Sequence, residues 1–464
     1  MRDNAAARNV AAPDFPAWCD RNHVDTLVVG TSDTNGSWIG KRIAPGRLPG
    51  LLDGPGLAFS DVIFVLTRDG NNAVQPRPGQ ASYFPRKENG YPDIFLRPDL
   101  ATARMLPWNP GTAALNGTFS DPEGAALPIA PRNVLARQVE RAAALGLAVR
   151  VGFEFEFYLL QGQLADLERN GYRLEPISPR PYTYMVSRAA VDSPVLGDIR
   201  AGLEGAGIRV EAINPETGPG QYEINTGFCE AGQAGDDAFL YKNAIKEIAS
   251  ARGLLATFMA KPGADLAGSS CHLHQSLWRA GTGEPLTWAA GQPLSDTATH
   301  YLGGLLATMP EFAVLFAPTV NAYKRLVPYS WAATTATWGL DNRSTGLRVV
   351  GETAAARRIE HRLGGADVNP YLAIAACLAG GLHGLEHGLR PGAPYPGDAY
   401  AAPGLPALPR TLAQALDRFE ASEAARAAFG DDFVEHFTAM KRWEDEQHRL
   451  SVSDWEVRHY VETA

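Results

Sequence analysis

The segment Phe153-Glu154-Phe155-Glu156-Phe157 leaves a chain that contains it little freedom. Successive side chains of an extended strand point to opposite faces, so the three phenylalanines share one face and the two glutamates the other. An acid-x-acid strand on its own reads as a solvent-facing edge. A strand whose other face is all phenylalanine lies against a core, which sets Glu154 and Glu156 toward a cavity or a partner.

Two later stretches repeat the idea. Glu216-Thr217-Gly218-Pro219-Gly220-Gln221-Tyr222-Glu223 places two acids in a Gly/Pro-rich segment, and Arg358-Ile359-Glu360-His361-Arg362 puts Arg358, Glu360 and Arg362 on one strand face. Hard cations such as Mg2+ and Mn2+ take carboxylate oxygens and keep positions open for substrate phosphate, while arginine forks hold phosphoryl oxygens. Acids and arginines interleaved on one surface therefore indicate a divalent-metal site that handles phosphate. Cys271-His272-Leu273-His274-Gln275-Ser276 adds two histidines at strand spacing, each a metal ligand or phosphate donor by type, although a His-x-His pair is as often structural. Guanidinium groups are concentrated from Arg325 through Arg343 and Arg348 to Arg357-Arg358. Glu211, one strand before Glu216, is the weakest of the acids.

The 464 residues, 45% hydrophobic and 20% charged, suffice for a large core and two domains. A net charge of -9 without a basic run argues against nucleic acid or an anionic membrane as the main partner. Four dispersed cysteines without CxxC spacing indicate neither a disulfide framework nor a zinc site, which suits a reducing cytoplasm. The N-terminal residues lack a signal-peptide core, and no apolar run approaches the ~20 residues of a bilayer span, so neither secretion nor membrane insertion is expected.

Val24–Gly30, a turn at Asp33–Gly36 and a strand through Lys41-Arg42-Ile43 predict a β hairpin opening a small domain. The Gly/Pro/Asn-rich stretch from Arg68 to Gly90 predicts a long exposed loop. Prolines near 122–131 precede a helix over Arg132–Leu145, which sets the domain boundary near 125: residues 1–125, then 126–464. In the second domain, helices over Asp236–Gly253, Thr297–Met309 and Leu372–His387 alternate with the motif strands, an α+β architecture. Gly36-Ser37-Trp38-Ile39-Gly40-Lys41-Arg42 is one residue short of a P-loop and lacks its Ser/Thr, and Gly205-Ala206-Gly207 precedes a strand rather than following one, so neither is a phosphate cradle.

Taken in order, these motifs resemble those of the glutamine synthetase family, from Asp25 to Arg458. The resemblance implies an N-terminal β-grasp domain, a catalytic domain with a curved antiparallel sheet and helices, and a dodecamer of two hexameric rings with sites between neighbouring subunits. It implies ATP with Mg2+ or Mn2+: Glu156, Glu216 and Glu223 around one metal, Glu154, His272 and Glu360 around a second. Gly268, Arg325 and Arg362 match positions that bind the amino-acid substrate, and Glu211, Phe228, His274, Ser276, Arg343, Arg348 and Arg358 match nucleotide and phosphate contacts. Arg343, Arg325 and Glu360 would carry the chemistry, in which ATP phosphorylates the glutamate γ-carboxylate and an amine displaces the phosphate.

Departures from the family pattern bear on the amine. After Lys324-Arg325-Leu326 the family carries a glutamate that closes over the ammonium site, whereas here Val327-Pro328-Tyr329-Ser330 leads to Trp331. The Asp-Gly-Ser-Ser loop that helps to hold ammonium is replaced by Ala58-Phe59-Ser60-Asp61, with Asp61 a displaced substitute at best. Ala267 stands where asparagine usually precedes Gly268. Ammonium has no apolar body and needs acids for capture and deprotonation, while an organic amine can rest on an aromatic surface. The expectation is a glutamate-amine ligase acting on a polyamine, alkylamine or arylamine, with Trp331 against the amine. An ammonia-using glutamine synthetase and a non-catalytic sensor of the same family are the alternatives. Tyr400 falls where some family members are nucleotidylated, but its Pro/Gly surroundings favour simple packing.

Overall fold

Strand pairing divides the chain between two sheets. The computed structural model describes residues 14–70, 74, 82–86 and 90–463; most of the loop expected between Arg68 and Gly90 lies outside them. The first sheet contains β1 (Thr26–Ser32), β2 (Trp38–Ile43), β3 (Leu57–Ser60), β4 (Asp93–Pro98), β5 (Arg104–Met105) and β6 (Thr112–Ser120). Its order is β2-β1-β6-β4-β3, with β5 also on β6. The expected hairpin is present as the antiparallel β1–β2 pair, turned at Asp33–Gly36, where Asp33 Oδ1 accepts from the Ser37 N–H at 2.7 Å. Gly36 takes the left-handed φ of +84° that this turn requires. The hairpin tip is pinned to the rest of the molecule, because Asn369 Nδ2 donates to Ser32 Oγ and Asp33 O, and Lys441 Nζ donates to Asn35 Oδ1.

The second sheet contains β7 (Leu147–Gln161), β8 (Val210–Pro215), β9 (Gln221–Thr226), β10 (Cys229–Glu230), β11 (Leu254–Thr257), β12 (Cys271–Arg279), β13 (Trp338–Leu340), β14 (Leu347–Val350) and β15 (Arg358–His361). The order is β13-β14-β15-β12-β7-β9-β8, with β10 and β11 also on β7. Its pairs are antiparallel as expected except β13–β14, which is parallel. The fifteen-residue β7 is its hub, paired with four other strands.

Its alternation is realised: Phe153, Phe155 and Phe157 are buried while Glu154 and Glu156 stay partly open on the other face. Phe155 stacks on Phe153 at 5.1 Å and on Tyr241 at 5.4 Å, and Phe157 meets Phe258 at 5.5 Å. Burial of each ring contributes about 1.5–3 kcal/mol. The helices expected at 132, 236, 297 and 372 are Pro131–Ala144, Ala231–Ala251, Asp296–Thr308 and Pro370–Glu386.

Helices Asp296–Thr308 and Pro370–Glu386 cross in backbone contact. A Cβ at Gly304 would lie 2.1 Å from Gly380 O and 2.3 Å from Gly384 N, atoms that no side-chain rotation can move away. Gly304→Ala is expected to destabilise the fold by about 1–3 kcal/mol through overpacking, read as a lower Tm in thermal denaturation. An unchanged Tm would show that the crossing can open freely.

Candidate active site

The acids, histidines and arginines meet because of strand register. On β7, Glu154 lies opposite His272 of β12 and Asn225 of β9, and Glu156 lies opposite Glu223. On β15, Glu360 lies opposite His274 of β12 on one side and Arg348 of β14 on the other. Glu216 follows β8, with Asn214 Nδ2 donating to its carboxylate at 2.8 Å. Five strands thus present their chemistry to one face of the sheet.

Glu154 is central. Its Oε2 is 3.4 Å from His272 Nδ1 and its Oε1 is 3.0 Å from His274 Nε2. Ligand atoms of Glu154, Glu223 and His272 all lie within 4.8 Å of one another, as do those of Glu154, His274 and Glu360. The sheet therefore draws Glu223 toward Glu154 and His272, and His274 toward Glu360, so the two groups share Glu154 and divide differently from the sequence-based sets. Glu156 accepts from the Ser270 N–H at 2.8 Å and from Gln221 Nε2 at 3.1 Å.

Electrostatics follow from this crowding. Burial pushes Glu223 up to about 9, with the charges of Glu154, Glu156 and Glu216 adding to it. Burial likewise lifts Glu156 to about 7 and raises Glu216. Burial alone would raise Glu154 too, but hydrogen bonds with His272 and His274 outweigh it and hold that carboxyl well below the usual range. Glu360 is fully buried, and Arg362 beside it overcomes the desolvation to bring it to about 2. Burial keeps His272 neutral.

Arginines surround Glu360. Arg362 Nη1 and Arg348 Nη1, the latter at 3.0 Å, pair with it, while Arg348 also pairs with Asp341. Arg358 Nε donates to His274 Nδ1 at 3.1 Å, which leaves His274 Nε2 to carry its proton toward Glu154. Arg343 makes no side-chain hydrogen bond or ion pair among the described residues; its carbonyl accepts from Arg362 Nε at 3.2 Å. Arg325 is only 1% exposed, with its guanidinium against Ser270 Oγ and Leu363 O, so it acts from beneath the site. Gly268 covers it, since a Cβ there would lie 2.4 Å from Arg325 Cγ.

On the far side, exposed Phe228 stacks parallel to Trp278 at 6.4 Å, with Arg209 over Phe228 and Arg150 over Trp278. Ser276 Oγ accepts from Trp278 Nε1 at 2.8 Å, and Glu211, exposed, pairs with Arg209. Trp331 is 60% exposed, and its carbonyl accepts from Arg362 Nη2 at 3.2 Å. Asp61 is fully buried in the small sheet's core, accepting the Arg86 N–H at 2.8 Å.

Residues 128–460 match the family model described as glutamine synthetase, catalytic domain. The chain belongs to the glutamine synthetase family. It is 37% identical over 450 residues to a glutamate–isopropylamine ligase of a Pseudomonas species, covering 96% of each chain. It is 39% identical over 440 residues to the γ-glutamylethanolamide synthetase GlnA4 of Streptomyces coelicolor, covering 95% of this chain and 93% of the relative. A solved GmaS–ADP complex superimposes with a TM-score of 0.83 at 28% identity, covering 97% of this chain and 99% of GmaS. This glutamine synthetase family member is an ATP-dependent carbon–nitrogen ligase.

Glutamine synthetase family enzymes use divalent metals, and this site's donors fit such a cation. His272 Nε2 is buried with no hydrogen-bond partner among the described residues, and burial, with the charges of neighbouring acids, pushes three nearby carboxyls toward protonation. A hard cation among carboxylate oxygens and one imidazole relieves both. Sequence reasoning missed Tyr184, 69% exposed and at a φ of +58°, close enough to the acids that, after burial, the charges of Glu216 and Glu223 raise its phenol. Its backbone N–H is anchored on Pro215 O at 3.0 Å, a contact that no local sequence signal announces. Trp278, Arg209 and Arg150 were missed too, although Trp278 stands two residues after Ser276 on the same strand face. The four cysteines are free, and among the described residues no helix is long and apolar enough to cross a membrane.

Proposed function

We propose that the protein joins the γ-carboxylate of glutamate to a small organic amine at the expense of ATP. The observation that carries the reading is the open aromatic Trp331 on a segment, Arg325–Trp331, that offers no carboxylate beside the metal-binding acids. Relatives named for isopropylamine as substrate and for γ-glutamylethanolamide as product support an alkylamine or hydroxyalkylamine acceptor.

In this reading Glu156, Glu216 and Glu223 hold one Mg2+ or Mn2+, and Glu154, His272 and Glu360 the other, with Glu154 also within reach of the first through Glu223. The bound cations offset phosphate charge and polarise the γ-phosphoryl group. Arg343, unpaired and open, and Arg348 and Arg358 receive the phosphates, while Phe228 and Trp278 with Ser276 and Glu211 frame the nucleoside. Arg362 and Arg325 supply the positive field that orients glutamate, and Gly268 lets the substrate approach. Transfer of the phosphoryl group to the γ-carboxylate gives an acyl phosphate. The amine then attacks the acyl carbon and phosphate leaves. Alkylamines have pKa values near ~10.4 and must lose a proton before they attack. A ring assembly of the dodecameric type is part of the proposal and rests on the family resemblance.

ADP release with glutamate, Mg2+ and a panel of ammonium, isopropylamine, ethanolamine, putrescine, spermidine and aniline tests this, with product masses read in parallel. One organic amine should give glutamate plus amine minus water. Amide from ammonium alone would make the protein a glutamine synthetase in the strict sense. Trp331→Glu is expected to lower kcat/KM for the organic amine at least tenfold while raising use of ammonium. An unchanged amine-to-ammonium ratio would remove Trp331 from the amine pocket.

A further inference from the structure

The segment bearing Trp331 is strained. Tyr329 and Trp331 have φ of +64° and +62°, the left-handed region that L side chains enter only at a cost. Both rings are largely exposed, so packing of their own side chains into a core does not hold the backbone there. Such a conformation persists when surrounding contacts over-determine it.

Ser330 Oγ ties the stretch locally to Arg325 O at 2.8 Å and Val327 O at 2.6 Å, and Tyr400 grips it from another loop. Its ring packs on Tyr329 at 5.3 Å, and its hydroxyl donates to Ala332 O at 3.1 Å, so it grips the strained stretch on both sides of Trp331. Tyr400 is itself tethered to the turn that carries Arg343: the Ala399 N–H donates to Ser344 Oγ at 2.9 Å, and Asn342 Nδ2 donates to Gly397 O at 2.8 Å. The Trp331 carbonyl accepts from Arg362, whose Nε reaches Arg343 O. The aromatic wall and the phosphate-side arginine turn are thus joined through one loop.

We propose that Tyr400 is a positioning residue that holds the 327–332 segment in its strained form and thereby sets amine affinity. The inference rests on the reading that Trp331 faces the amine. Burial raises the Tyr400 phenol and Arg362 and Arg325 draw it back, as expected of a hydroxyl that stays neutral and donates.

The test uses the full-length protein with Tyr400→Phe, Tyr400→Ala and Tyr329→Ala. Tyr400→Phe keeps the ring contact and loses the hydrogen bond, and the amine KM should rise about fivefold. Tyr400→Ala loses both, for a rise of roughly 10–30-fold, and Tyr329→Ala, a change at an exposed side chain, should give an intermediate rise. KM for ATP and glutamate should stay within about twofold. Hydrogen exchange in a peptide covering 326–333 should quicken in the order wild type, Tyr400→Phe, Tyr400→Ala, with 271–279 unchanged. An unaltered amine KM, a uniform loss for all three substrates, or unaltered exchange overturns the proposal. Should wild type form no amide from any amine, the ligase reading fails, and the exchange order alone still decides whether Tyr400 holds the segment.

Discussion

Glu154→Ala is expected to lower turnover by about 10³-fold, equivalent to about 4 kcal/mol of transition-state stabilisation. No other carboxylate serves both ligand groups, and its two oxygens meet His272 and His274 separately. Its loss unseats two donors at once, while the phenylalanine face of β7 is untouched, so the fold should survive. Single-turnover ADP formation measures the chemistry, and the Tm gained on adding Mn2+ measures cation binding. Both should collapse together. A loss under tenfold with the Mn2+ response intact would show that the site does not centre on Glu154.

The second large effect is a pH dependence of unusual sign. Without metal, Glu223 and Glu156 hold protons up to about 9 and about 7, whereas in an unfolded chain a glutamate releases its proton near ~4.3. Between these limits the folded state binds more protons than the unfolded one, so stability falls as pH rises. A salt-bridged carboxylate would do the opposite. Raising pH from about 6 to about 8 is expected to cost the metal-free protein, through these two carboxyls, on the order of 4 kcal/mol, at about 1.4 kcal/mol per unit over about two units for Glu223 and about one for Glu156. A divalent cation displaces those protons and so binds more tightly as pH rises, flattening above about 9. Thermal denaturation after chelation should show the wild-type Tm falling from pH 6 to 8 relative to that of Glu223→Gln. Buried His361, His436 and Lys242, lowered by burial, shift stability the other way equally in both proteins and cancel in the difference. Mn2+ should restore the wild-type Tm most at the alkaline end, and Glu223→Gln should flatten that response. A metal-free wild-type Tm that climbs relative to that of Glu223→Gln over this range would mean that the acids are already neutralised from within the protein.

What could be read from the sequence was whatever is written in short-range periodicity. The Phe/Glu alternation of β7, the first hairpin and the four long helices are local patterns, and each is present close to its expected bounds. The partners of each acid were less visible. Glu360 meets His274 across β12–β15 and Arg348 across β14–β15, and registers between such distant strands are set by the assembled core rather than by either segment. Glu216 to Glu223 resembled a polar loop because its glycines and proline form the turn between β8 and β9, while Glu223 itself sits inside β9. Backbone roles were silent altogether. Nothing in the letters of Trp331 announces that its carbonyl takes a bond from Arg362, nor does Tyr184 signal its left-handed backbone near the acid cluster.

The same strand that anchors the phenylalanine core aims Glu154 and Glu156 into the site, with no spare residue between the two jobs. Slipping β7 by one position would bury Glu154 and Glu156 against Tyr241 and Phe258 and turn three phenyl rings toward the histidines and arginines of the site. A frame error of that kind cannot yield a stable but inert molecule, or a loose but active one. Change that spares the scaffold is left to exposed segments such as 327–332, whose Val327, Tyr329 and Trp331 side chains stand outside the core.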